Sequence, residues 1–153
     1  MNGFWQGRGG LVVRVALVVG LIVVVLAVLI PDHETGDLGG TAWTLVAYGP
    51  ADTPIAAEAP ASITFEANGR VGGSTGCNTF FGNFSAAGGR LSFVDDELGF
   101  TTRECDLASA EGKQEAFFRE QLPGGSAYTL TADRLTLHFD GGQMAEYVRA
   151  QSL

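Results

Sequence analysis

The sequence is short of histidine, cysteine and positive charge. Of its 153 residues, 2 are His, 2 are Cys and 9 are Lys or Arg, against 17 Asp or Glu. Two of the cations, Arg8 and Arg14, precede Pro31 and every acid follows it, so the remainder carries 7 − 17 = −10. A domain of that charge repels nucleic acid and anionic membrane surfaces. No cysteine follows the N-terminal apolar run until Cys77, which argues against a lipid-anchored form. No repeat is evident at any useful period, so solenoids and propellers are set aside. Ten Phe, two Trp and three Tyr supply enough buriable area to offset chain entropy, so the acidity is not that of a disordered chain. The length suits one compact domain with an appendage.

The appendage is the run from Leu11 to Ile30, apolar except for Arg14, which can snorkel so that a spanning helix starts at Leu11. Arg8 and Arg14 flank it on one side, and Asp32, Glu34 and Asp37 on the other. The positive-inside rule then makes residues 1–10 cytoplasmic, 11–30 a transmembrane signal anchor, 31–40 a linker, and 41–153 a domain on the periplasmic or extracellular side. The alternative is a cleaved signal peptide, but the apolar run is too long for one and no small-x-small site precedes the first strand.

From Thr41 onward the pattern is of short strands. Trp43, Leu45 and Ala47 alternate with Thr44 and Val46 up to a Tyr48-Gly-Pro turn, and a loop runs from Ala51 to Pro60. Ile63 and Phe65 share a face, Asn68-Gly69 signals a hairpin, and Gly88-Gly89 joins a second hairpin carrying Leu91 and Phe93. Helix formers run from Asp106, read as the N-cap, to Leu122, with Glu115, Phe118 and Leu122 on one face and Pro123-Gly124-Gly125 as the stop. Three alternating runs follow: Tyr128 with Leu130, then Leu135, Leu137 and Phe139, then Ala145 with Tyr147. The expected fold is α+β, mainly β, a curled antiparallel sheet or partly closed barrel with one helix.

These elements are organised around Asn68 to Phe84, where five glycines are interleaved with Cys77, Val71, Phe80, Phe81 and Phe84. The stretch is too glycine-rich for a helix and too apolar for a linker. It reads as strand, tight turn, strand, with the aromatics buried and the Gly76-Cys77-Asn78 corner against the core. Gly76 is expected in a conformation that a Cβ would strain, and Asn78 is expected to use its side-chain amide to satisfy backbone groups in the turn that follows.

Trp43-x-Leu45, Ile63-x-Phe65, Gly69-x-Val71-x-Gly73, Gly76-Cys77-Asn78, Phe81-Gly82, Thr101 four before Cys105, and Glu115 with Phe118 and Leu122 together resemble the META domain (HslJ-like) family. The resemblance covers nearly everything after Thr41. It implies an exported or lipid-anchored antiparallel β fold with one helix, a link to envelope stress tolerance, and no enzymatic activity, cofactor or metal. Its motif residues here are Gly76, Cys77, Asn78, Phe81, Gly82, Thr101 and Glu115. Two departures stand out: a hydrophobic anchor replaces the lipoprotein cysteine, and Arg103-Glu104 stand where the family often has apolar residues.

Gly72-Gly73-Ser74-Thr75-Gly76 matches a G-x-S-x-G nucleophile elbow, with Asp95 or Asp96 and then His138 in hydrolase order. The elbow needs a strand before the serine and a helix directly after it, and this chain offers a glycine corner instead. Without a lysine the same glycines make no phosphate-binding loop. Alternation sends His138 to the face opposite Leu137 and Phe139, while His33 lies in the linker. Asp95-Asp96-Glu97 lacks the ligand spacing of a calcium loop and reads as a solvated turn. Asn83-Phe84-Ser85 is formally a glycosylation sequon but reads as strand.

Cys77 and Cys105 both lie on the side assigned outside the cytoplasm, where a disulfide is the expectation and two buried thiols the alternative. The functional expectation is a non-catalytic envelope domain, tethered through residues 11–30, that contacts another envelope protein. The alternative is a carrier whose curled sheet, lined by Phe80, Phe81, Phe84 and Phe93, holds an apolar molecule or lipid tail.

Overall fold

The computed structural model describes residues 36–94 and 98–150. The run at 11–30, His33, Asp95, Asp96 and Glu97 lie outside the described residues, and among those described no helix is long and apolar enough to cross a membrane. Alternating apolar residues build ten strands: β1 Thr41–Pro50, β2 Ile55–Ala56, β3 Ser62–Phe65, β4 Arg70–Ser74, β5 Thr79–Ala87, β6 Arg90–Phe93, β7 Gly99–Phe100, β8 Ser126–Leu130, β9 Arg134–His138 and β10 Gln143–Arg149. One α-helix, α1, spans Ala110–Gln121.

Eight of these strands form a ring in the order β1, β3, β4, β5, β6, β8, β9, β10, with every neighbour antiparallel and β10 closing back on β1. The short β2 and β7 attach to β1 and β5. The barrel is therefore fully closed rather than partly closed. The closing pair joins strands about a hundred residues apart, Trp43 opposite Arg149 and Leu45 opposite Tyr147, which no local sequence signal announces. Closure removes the sheet edges that a curled open sheet would present.

A β-bulge between Leu45 and Ala47 corrects the expected alternation of the first strand. One extra residue on β1 re-aims the chain, so Tyr48 rather than Ala47 follows Trp43 and Leu45 into the core, and the strand continues through Gly49 and Pro50. The helix starts later than expected as well. Asp106 closes a turn, its Oδ1 accepting from the Ala108 amide, and Ser109 is the N-cap, its hydroxyl accepting from the Gly112 amide.

Aromatic and aliphatic side chains point into the interior: Trp43, Phe65, Phe84, Leu91, Leu135 and Leu137 are buried, and Phe65 meets Phe84 edge-on at 4.9 Å. An eight-stranded barrel has an interior just wide enough for such filling. Helix α1 lies at the barrel end formed by the close of β1, β4 and β9. Phe117 meets Tyr48 at a tilt and Phe139 edge-on, and Gln114 donates to the Ala59 and Thr75 carbonyls. Near the start of β1, a 3-10 turn at Gly36–Leu38 inserts Leu38, which is fully buried, while the Gly40 amide donates to Phe65 O. Leu38 thus packs in the core although it lies inside the span read as linker, because a lone leucine among acids and glycines carries no periodicity.

Candidate functional site

The corner after β4 is a tight turn in which the Thr75 amide donates to Asn78 O at 2.9 Å. Gly76 has φ +104°, and a Cβ there would come within 3.0 Å of both Ala59 Cβ and Gln114 Nε2, so both the backbone and the close approach of α1 require glycine. The turn delivers Asn78, which is 3% exposed, into a gap between the 101–105 segment and α1.

All of the Asn78 side chain is engaged. Its Oδ1 accepts from Thr101 Oγ1 and from the Arg103 amide, each at 2.8 Å. Its Nδ2 donates to the Arg103 carbonyl at 3.0 Å and to Glu115 Oε1 at 3.1 Å. The Asn78 side chain does satisfy backbone groups, but they lie 25 residues on, at Arg103, and not in the turn that follows as expected. Thr101 also accepts from the Thr79 amide at 3.1 Å, so the two loops are laced from both sides.

Glu115 is the buried charge of this cluster. Burial alone would raise its pKa, but hydrogen bonds from the Thr75 hydroxyl, Arg119 and the Asn78 amide, together with the Arg119 charge, hold it below the usual carboxylate value. Arg119 is salt-bridged to Glu115 four residues earlier and lies over the Phe100 ring at 4.8 Å. Cys77 and Cys105 form a disulfide, with Cα atoms 6.3 Å apart, beside Asn78.

Of the motif residues read from sequence, the fold brings together Gly76, Cys77, Asn78, Thr101 and Glu115. Gly82 lies apart in β5, opposite Val71. Phe81 corrects the reading that all three nearby phenylalanines are buried: adjacent strand residues face opposite ways, so Phe80 enters the core and Phe81 is 59% exposed on the outer wall. There it lies opposite Gly72 and over Gly99, where a Cβ would come within 2.6 Å of the ring. Sequence reasoning missed Thr75, Gln114, Arg103 and Arg119. The i, i+4 spacing of Glu115 and Arg119 was a legible signal; Gln114, which donates to carbonyls of distant loops, offered none.

The nucleophile-elbow match dissolves in three dimensions. Ser74 ends a strand of an antiparallel hairpin and its hydroxyl accepts from the Gly76 amide at 3.1 Å. His138 faces outward beside Thr129, 3.0 Å from its hydroxyl. Among the described residues no group of three or more His, Cys, Asp or Glu gathers. What the corner does is brace: one amide and one carboxylate tie β4, β5, the 101–105 segment and α1 into a single unit.

The sequence profile of the META domain matches residues 36–152. Among solved structures, an NMR structure of a protein from Burkholderia xenovorans is similar at 27% identity and a TM-score of 0.63, covering 77% of this chain and 87% of that one. A second NMR structure is similar at 25% identity and a TM-score of 0.58, covering 75% of this chain and 93% of that one. A crystal structure of a DUF4847 family protein from Bacteroides vulgatus shares the fold at 18% identity and a TM-score of 0.50, over 76% of this chain and 97% of that one. No curated protein matches. With the profile spanning most of the sequence and the Gly76-Cys77-Asn78 corner braced by Glu115, this chain belongs to the META domain family.

Proposed function

We propose that the chain is a membrane-anchored, non-catalytic envelope domain that binds another envelope protein in a stress-tolerance role. The observation that carries this reading is Phe81, a large ring left out in solvent on a wall of the barrel otherwise made flat by Gly72 and Gly99. An aromatic standing on a backbone platform is the kind of anchor that protein interfaces use. Anchoring rests on residues 11–30 and the charge bias of their flanks. The non-catalytic assignment is supported by the engagement of Ser74 in its turn and by the family's character.

The carrier reading is not better supported. Phe80, Phe84 and Phe93 are at most 7% exposed and pack within the barrel interior, and Phe81 is outside it. Crosslinking in native membranes from position 81, followed by identification of what is captured, tests the partner role. Intact mass of membrane-purified protein tests the anchor: it should include Trp5, and a species beginning near Gly36 would reverse that part of the reading.

A further inference from the structure

The two sulfurs of the disulfide sit in unlike surroundings. Both are half-buried and share the Asn78 amide, whose Nδ2 lies 3.3 Å from Cys105 Sγ and 3.8 Å from Cys77 Sγ, but only Cys105 lines an open cleft of about 410 Å³, with Arg103, Glu115 and Arg119 in its wall and Leu107, 71% exposed, at its side. Cys77 does not line that cleft, but Arg103 Nη2 lies 3.9 Å from its sulfur. No carboxylate pairs with the Arg103 guanidinium among the described residues. Charge along the chain adds to the contrast, since Cys105 is flanked by the exposed acids Glu104 and Asp106, whereas Cys77 lies between Gly76 and Asn78. The remaining nearby carboxylate, Glu115, is already matched by Thr75, Asn78 and Arg119.

Access and leaving-group stability therefore point the same way. A nucleophile reaches Cys105 from the cleft, and negative charge developing on Cys77 meets a guanidinium. We infer that Cys77–Cys105 is an exchangeable disulfide at which low-molecular-weight thiols add to Cys105 and release Cys77 as a thiolate held by Arg103. The attacking thiolate forms a new S–S bond with Cys105 Sγ as the bond to Cys77 Sγ breaks, the electron pair leaving with Cys77. One disulfide replaces another, so no outside oxidant or reductant is consumed. The reverse attack by Cys77 restores the native bridge.

The test uses the full-length, folded chain in detergent micelles with glutathione as the probe, followed by acid quenching, maleimide labelling of free thiols and peptide mapping. Cleavage after Arg90 and Arg103 places the two cysteines on separate peptides. The expected product carries glutathione on Cys105 and maleimide on Cys77, in about threefold excess or more over the opposite arrangement, because the better-stabilised thiolate leaves faster. An even mixture, or glutathione mainly on Cys77, overturns the assignment. So does the absence of any adduct in the folded protein under conditions where the urea-unfolded chain forms one.

Arg103→Gln should slow opening about threefold or more while Arg103→Lys keeps most of the rate, because the role assigned is that of a positive charge. Arg103 is exposed and its guanidinium reaches the Cys77 sulfur from outside the core, so both variants should fold, and equal rates in all three proteins would contradict the role of Arg103. A thiolate-absorbance titration of Cys105→Ser and Cys77→Ser then compares the two thiols directly. Cys77 should be the more acidic, and the reverse order overturns the inference.

Discussion

Asn78 Nδ2 and Glu115 Oε1 are 3.1 Å apart across 37 residues of sequence, and this bond joins the glycine corner to α1. Asn78→Ala removes it along with the side-chain bonds to Thr101 and both backbone groups of Arg103. Each neutral bond is worth about 1 kcal/mol net and a bond to a charged group somewhat more, so the variant should lose about 2–4 kcal/mol in urea unfolding. Asn78→Asp should cost more, because it sets two carboxylates face to face. Adding Glu115→Gln should recover part of that loss in a double-mutant cycle, and zero coupling between the two positions would contradict the pairing.

The pH dependence of stability should carry the signature of Glu115. Its folded pKa lies below the unfolded value, so the stability it contributes is fully present above the unfolded pKa of about 4.3 and is lost as pH falls through the lower folded pKa. Glu115→Gln should be less stable than wild type by about 2 kcal/mol at neutral pH. The gap should narrow steadily on acidification below about pH 4. A gap that stayed constant between pH 7 and pH 3 would mean that the carboxylate charge is not what holds the corner.

Much of the barrel is legible in local pattern because strand alternation and hairpin turns are short-range. Asn68-Gly69 and Gly88-Gly89 produce the β3–β4 and β5–β6 hairpins where expected, and Ile63, Phe65, Leu91, Leu135 and Leu137 face inward. What escaped depends on distant partners. Whether Phe80 or Phe81 turns inward rests on register with β4 and β7, Tyr48 is re-aimed by a bulge opposite β10, and Leu38 is defined only by what it plugs. The corner shows the same division. Its glycine, cysteine and asparagine stand out by type, while the Arg103 backbone that Asn78 satisfies could not be found without the fold.

Leu38 supplies a third expectation. A fully buried leucine truncated to alanine loses transfer energy and leaves a cavity, so Leu38→Ala should cost about 2–5 kcal/mol. A fragment beginning at Gly36 should accordingly melt well above one beginning at Thr41, although the helix and all ten strands lie within both. Equal melting temperatures would return the boundary to Thr41.

Gly76→Val should destabilise by about 1–3 kcal/mol, because it forces a β-branched residue to positive φ and drives its Cβ towards Ala59 and Gln114. Gly88→Val also places a side chain at positive φ, but nothing lies within 4 Å of the site. Comparing the two by thermal unfolding separates backbone strain from the close approach of the helix, and a smaller loss at Gly76 than at Gly88 would contradict the packing role.

The exposed ring of Phe81 bears most directly on the proposed partner role. A photoreactive phenylalanine analogue at position 81 of the full chain, activated in native membranes, should capture one defined envelope protein that in turn captures this chain when the probe is moved to the partner. The same probe at His138, exposed on a different strand, should not. Phe81→Ser should keep the unfolding free energy within about 1 kcal/mol of wild type, since more than half of the ring is already solvated, and should compete poorly for the partner. Undiminished competition by Phe81→Ser, or equal capture from positions 81 and 138, would contradict the account.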